Sequence, residues 1–231
     1  SMPARAVPQR KPQLEPTQIG VRRIEVKQPA EQAFIAMAYR APTLKSVEKM
    51  GVEDREALAL LVLSAVLDGY DGARLERALV QGEGQANGRV ADSAGSSASI
   101  MGRGPSLFML TGVPAKGKTV ADVDAALRAQ IKKIADEGVQ EDELKRVKIQ
   151  WMASNVYERD SVMGQAQNLG NYWIQGMPLD AEDKLLAELQ KVTSDEVKAV
   201  AAKYFGDDQL TVGTLNPQPL PAGGKPQRPM S

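Results

Sequence analysis

The sequence predicts an α+β fold, with one mixed, largely antiparallel sheet covered by a block of helices. Three observations carry that prediction. Strand-like segments open the chain and return near its middle. Four or five consecutive helical segments then follow with no strand between them. A single strand closes the pattern at Gln209–Leu215. This order is neither regular β-α alternation nor an all-helical array.

Val21 to Lys27 alternates apolar and charged residues and reads as a strand, and Ala33 to Tyr39 reads as a second, more buried one. Asp54 to Leu67 is apolar almost all round, the mark of a central helix. Gly69 and Gly72 break it, and Ala73 to Val80 reads as a short helix. Residues 81–104 are rich in Gly, Ser, Ala and Asn, with strands expected at Gly88–Asp92 and Ser97–Met101. Ser106 to Thr111 is a strand carrying Leu107, Phe108, Met109 and Leu110. A helix is expected from Thr119 to Glu137, because Val120, Val123, Leu127, Ile131 and Ile134 fall on one helical face. Thr119 is its expected N-cap and Gly138 its C-terminal glycine.

Glu141, Asp142 and Glu143 open the next helix, where acids suit the positive end of the dipole. That helix carries Leu144, Val147 and Trp151, and further helices are expected over Ser161–Gln175 and from the cap Asp180 through Leu189. Thr193 and Glu196 form a capping box for a helix ending near Phe205.

Proline marks both ends: nine of the 14 prolines lie in residues 3–16 and 217–229, among Arg, Gln and Lys. Such segments bury too little to offset their ordering entropy. The organisation expected is a Pro-rich leader or linker at 1–19, a folded body at 20–216 and a Pro-rich tail at 217–231. Ser1 before Met2 reads as a cloning remnant, so a domain cut from a longer chain is expected. The most apolar stretch, Ala57 to Leu67, is too short for a bilayer, which needs ~20 residues.

Composition excludes whole classes of chemistry. The 231 residues include no His and no Cys. Zinc, copper and non-haem iron sites of the usual imidazole or thiolate kind cannot be built. Serine or cysteine nucleophiles with a histidine base are equally excluded. With 29 basic and 29 acidic residues, no global charge draws the chain to nucleic acid or anionic membrane.

One motif demands weighing. Gly112-Val113-Pro114-Ala115-Lys116-Gly117-Lys118-Thr119 matches the phosphate loop G-x-x-x-x-G-K-T, between a strand and a helix. In that reading Gly112, Gly117 and Lys118 would cradle phosphates and Thr119 would hold magnesium. Against it, no later strand ends in a magnesium-binding acid, and the chain lacks further strand-helix units for a parallel sheet. The plainer reading is a strand-to-helix turn with a capping threonine. Other candidates are Arg103, a loop residue between two glycines that could contact substrate, and Trp151 and Trp173, expected to pack in the core rather than line a groove.

From Leu107 onward the chain resembles a known family. The strand Leu107–Leu110 leads through a Pro/Gly turn to a long helix, then to Gly138-Val139-Gln140-Glu141-Asp142-Glu143-Leu144. Leu169-Gly170, Gly176, the stretch Leu189–Val197 and the strand Leu210–Leu215 continue the pattern, and Ala73-Arg74-Leu75 matches it upstream. In order and spacing these resemble the pitrilysin/insulinase zinc metallopeptidases, which include mitochondrial processing peptidases. They resemble in particular the second, non-zinc-binding domain of bacterial members.

The resemblance implies paired homologous α+β domains with ferredoxin-like elements, enclosing a chamber for peptides and unfolded segments. It implies no cofactor in this chain and zinc on a partner domain, in the inverted H-x-x-E-H motif. The partner is then a zinc-bearing homologous domain, and the substrate a peptide. The resemblance also implies an Arg and a Tyr near the substrate, at positions held here by Ser106 and Val113, so that pair is missing. The function expected is a noncatalytic domain forming chamber wall and interface. The alternatives are a structural or peptide-binding module without protease activity, and a nucleotide-binding protein using Gly112–Thr119. Bacterial relatives point to the periplasm, and the lack of cysteine fits periplasm and cytoplasm alike.

Overall fold

The computed structural model describes residues 16–84, 88–102, 104, 106–158 and 161–220. Five strands form one sheet in the order β1-β5-β2-β4-β3. They are β1 (Arg22–Pro29), β2 (Phe34–Ala41), β3 (Ala91–Ala98), β4 (Ser106–Pro114) and β5 (Leu210–Gln218). Only β1 and β5 run parallel; the pairs β2–β5, β2–β4 and β3–β4 are antiparallel. The helices are α1 (Val52–Asp68), α2 (Val120–Glu137), α3 (Glu141–Glu158), α4 (Val162–Ile174), α5 (Ala181–Leu189) and α6 (Ser194–Tyr204). The mixed sheet and the helical block are those the sequence predicts.

The sheet has one covered face and one open face. Along β2 and β4, Ile35, Met37, Tyr39, Phe108 and Leu110 are buried, while Ala36, Ala38, Met109 and Thr111 between them are half-buried. That alternation places every second side chain under the helices. On the covered face α1 is buried from Ala57 to Leu67 except at Leu61, as its all-round apolar sequence requires. On α2, Val123, Leu127, Ile131 and Ile134 are buried on one stripe. Each such burial is worth roughly 1.5–3 kcal/mol before chain entropy is counted.

Two local expectations are corrected. The two short strands at Gly88–Asp92 and Ser97–Met101 are one strand, β3, with a bulge between Ala91 and Ser93. Its small side chains hide the period-2 pattern from the sequence. The short helix at Ala73–Val80 is wound as a π-helical turn over Glu76–Val80. Ordered contacts are also present at residues just outside 20–216. Gln18 is buried, its amide donating to the Gly20 and Leu210 carbonyls at 2.9 and 2.5 Å, and β5 runs on through Pro217 to Gln218. Pairing with β2 stops at Leu215, so beyond it β5 behaves as an edge, where proline is tolerated.

Candidate functional site

The phosphate-loop motif is accounted for residue by residue. Gly112 lies on β4 under α2, where an added Cβ would come within 2.6 Å of Val123 Cγ1. Gly117 adopts φ 80°, which only glycine adopts without strain. The Ala115 amide donates to the Val90 carbonyl at 3.0 Å, and the Lys118 amide to the Ala115 carbonyl at 2.9 Å. Thr119 accepts from the Asp122 amide at 3.2 Å, while its own amide and hydroxyl both donate to Asp122 Oδ2 at 2.7 Å. Those bonds from Thr119 hold the Asp122 carboxyl below the usual carboxylate range. A carboxylate therefore occupies the helix N-terminus that a phosphate would need, and β4 is antiparallel to both its neighbours. These contacts support the capping reading. Thr119→Ala is expected to lower stability by about 1 kcal/mol in urea unfolding, and Mg-ATP to leave the melting temperature unchanged. Tight magnesium-dependent nucleotide binding, lost on Lys118→Ala, would restore the nucleotide reading.

Arg103 lies outside the described residues. Ser106 is buried on the covered face, its hydroxyl 3.0 Å from that of Thr43. Val113 is half-buried and, an odd number of residues along the same strand, points to the other face. The two positions that the family resemblance pairs hold neither a cation nor a phenol.

The acids at the start of α3 divide by role. Glu141 and Asp142 are exposed. Glu143 receives Arg74 Nε at 2.9 Å and Nη2 at 2.5 Å, Arg77 Nη2 at 3.4 Å and the Gln140 amide at 3.3 Å. Burial by itself raises the Glu143 pKa, but the bonds and charge of Arg74, the Gln140 amide and the charge of Arg77 outweigh it and hold the carboxyl below its ordinary range. This cluster ties the π-helical turn to α3 and forms one wall of a cleft of about 580 Å³, whose other wall carries Lys133 and Glu137 of α2. Within it Arg74 and Arg77 are both paired with Glu143, an arrangement that clamps this turn to α3.

The residues present do not fit zinc. The chain has no imidazole and no thiolate, and among the described residues no group of three or more acids is placed to hold a metal ion. No described helix is long and apolar enough to cross a membrane.

What the sequence reading missed is an apolar surface on α4. Trp151 is half-buried against the core, as expected, but Trp173 is 71% exposed, so its expected place in the core is corrected. Val162, Ala166, Leu169 and Trp173 recur at helical spacing on one face, and all four are exposed. Met163, Ile174 and Leu179 beside them, and Ile149 and Met152 on α3, are exposed too. Tyr172 is the buried residue of α4. The i, i+4, i+7, i+11 spacing was readable as an apolar stripe. That the stripe faces solvent was not, because α4 packs little against the rest of the domain.

Residues 1–151 match the family model described as the peptidase M16 inactive domain. The chain belongs to that family: it is an M16-type inactive domain, of the pitrilysin class of bacterial protease relatives. Three of the solved structures that share its fold illustrate the match. A protease from Helicobacter pylori is 22% identical with a TM-score of 0.76, covering 87% of this chain and 46% of its own. An inactive peptidase domain from Bordetella parapertussis is 17% identical with a TM-score of 0.68, over 88% of this chain and 98% of its own. A peptidase M16 inactive domain from Pseudomonas fluorescens is 17% identical with a TM-score of 0.68, over 89% of this chain and 46% of its own. The chain thus spans about half the length of the first and third, and nearly all of the second. No curated protein matches the chain.

Proposed function

We propose that this chain is a noncatalytic, C-terminal-type domain of a zinc metallopeptidase, forming part of a peptide-enclosing chamber and the interface to a zinc-bearing homologous domain. The observation that carries this reading is the solvent-facing apolar stripe of α4, Val162, Ala166, Leu169 and Trp173, in an M16 inactive domain that contains no histidine. A contiguous exposed apolar surface of this kind marks an interaction site. In this reading the stripe docks on the zinc-bearing domain. The open sheet face, with Phe34, Met109, Thr111 and Leu215, contributes chamber wall. Zinc and the general base come from the partner.

The test uses the chain alone and with a zinc-bearing M16 domain from the same source. Alone, with zinc and an unfolded peptide, it is expected to give no chelator-sensitive cleavage. Together, the two are expected to form a complex that cleaves the peptide, and Trp173→Asp is expected to weaken that complex by about tenfold or more, as loss of a central aromatic anchor does. Robust, chelator-sensitive cleavage by the chain alone would defeat the proposal. A complex without cleavage would favour the structural or peptide-binding module instead.

A further inference from the structure

The fold treats the two edges of its sheet differently. An open strand edge is a template for another chain, and proteins normally block it. The β3 edge is blocked: it carries the bulge between Ala91 and Ser93, α1 and the π-helical turn pack on it, and Asp68 of α1 accepts the Ser96 amide at 3.1 Å. The β1 edge is not. Its register with β5 is unbroken from Arg22↔Thr211 to Pro29↔Gln218. All eight of its residues are exposed, including Ile24 at 55% and Val26 at 42%. Among the described residues no strand or helix lies along its outer side. A strand of unbroken register, with apolar residues on one face and no described neighbour along its outer edge, can continue a sheet.

We propose that β1 pairs with β1 of a second copy of this chain, antiparallel, about a two-fold axis at Ile24. Isologous contacts of this kind need a self-complementary strand, and the order Arg22-Arg23-Ile24-Glu25-Val26 is one. The axis sets Ile24 against Ile24 and Arg22 against Val26 on the open face, the face that Gly213 and Leu215 of β5 share. On the other face it sets Arg23 of each copy against Glu25 of its mate, twice. Directly opposed unlike charges stabilise a strand pair, and like charges destabilise it. An axis one residue further on would oppose Glu25 to Glu25 and Arg23 to Lys27, and is disfavoured on that ground. An axis at Val26 would pair Glu25 with Lys27 but leave Arg23 facing Pro29, so position 23 distinguishes the registers. The joined sheets carry an apolar strip across the seam, from Phe34 and Leu215 through Val26 and Ile24. The pairing uses this chain alone and does not depend on a zinc-bearing partner.

The experiment is sedimentation equilibrium of the full chain and of charge variants across the micromolar range, with circular dichroism to confirm that each is folded. The unsubstituted chain is expected to dimerise. R23E and E25R are each expected to weaken dimerisation by about tenfold or more, because each turns two favourable contacts into two repulsive ones. The double variant R23E/E25R is expected to dimerise again, and so is an equimolar mixture of the two single variants. Arg23 also reaches Asp124 at 3.7 Å, so a merely structural effect of R23E would not be reversed by E25R. A monomeric unsubstituted chain, or a dimer indifferent to R23E, would overturn the proposal.

Discussion

Glu143→Gln is expected to lower stability by about 3 kcal/mol at neutral pH, measured by urea unfolding. The carboxylate is largely shielded from solvent against Arg74, their side chains being 14% and 11% exposed, and the amide leaves that guanidinium without its counter-charge. The contact to Arg77 adds little, since that side chain is 42% exposed and solvent screens the pair. The pH dependence has a definite sign. The folded pKa of Glu143 lies below its ordinary value, so the unfolded chain binds the proton more readily. The stability it contributes is therefore present above the unfolded carboxylate value of about 4.3 and is lost as pH falls through the lower folded value. The gap between the parent and Glu143→Gln should narrow progressively below about pH 5. A gap that stayed constant down to pH 2 would show that the carboxylate's charge is not what holds the π-helical turn on α3.

Phe108→Ala is expected to cost about 3–5 kcal/mol. Phe108 is fully buried in the middle of β4, between the central strand β2 and the edge strand β3. Its ring meets Phe205 edge-on, with centroids 4.9 Å apart, and Phe205 in turn packs on Tyr39 at 4.7 Å. Burial pushes the Tyr39 phenol up to about 12, the sign of a dry environment. Truncation leaves a cavity between strand and helix end that β4 cannot close, because it is hydrogen-bonded to neighbours on both sides. At about 2–4 °C per kcal/mol for a domain of this size, the melting temperature should fall by about 10 °C. Phe108→Leu, which keeps most of the volume, should lose less than half as much. Equal losses for the two variants would mean that the site collapses freely and the aromatic cluster is not what organises it.

The elements most legible in the sequence are those whose signals are local. The α2 stripe, the Thr119 and Thr193 caps and the alternation of β4 appear where periodicity and capping chemistry put them. β3 was misread because Ala-Asp-Ser-Ala-Gly-Ser-Ser-Ala carries almost no apolar contrast; its strand character comes from pairing with β4. The phosphate-loop match is a local pattern whose surroundings support the plainer reading of a capped strand-to-helix turn. Val123 leaves room only for glycine at 112, and Asp122 accepts from Thr119, contacts of packing and capping. Trp173 was misplaced for the opposite reason: helical spacing shows that a stripe exists but not whether anything covers it.

By itself, then, the sequence determined the α+β class, the lack of imidazole and thiolate ligands, and the order of motifs that resembles the M16 peptidases. Each of these follows from residue identity or short-range spacing. Only the tertiary structure decided which surfaces no other described element covers, the α4 stripe, the open sheet face and the outer edge of β1. Exposure belongs to no residue alone. It depends on how segments distant in the chain pack, as when β5 closes the sheet against β1 and Asp68 seals β3 while nothing described seals β1.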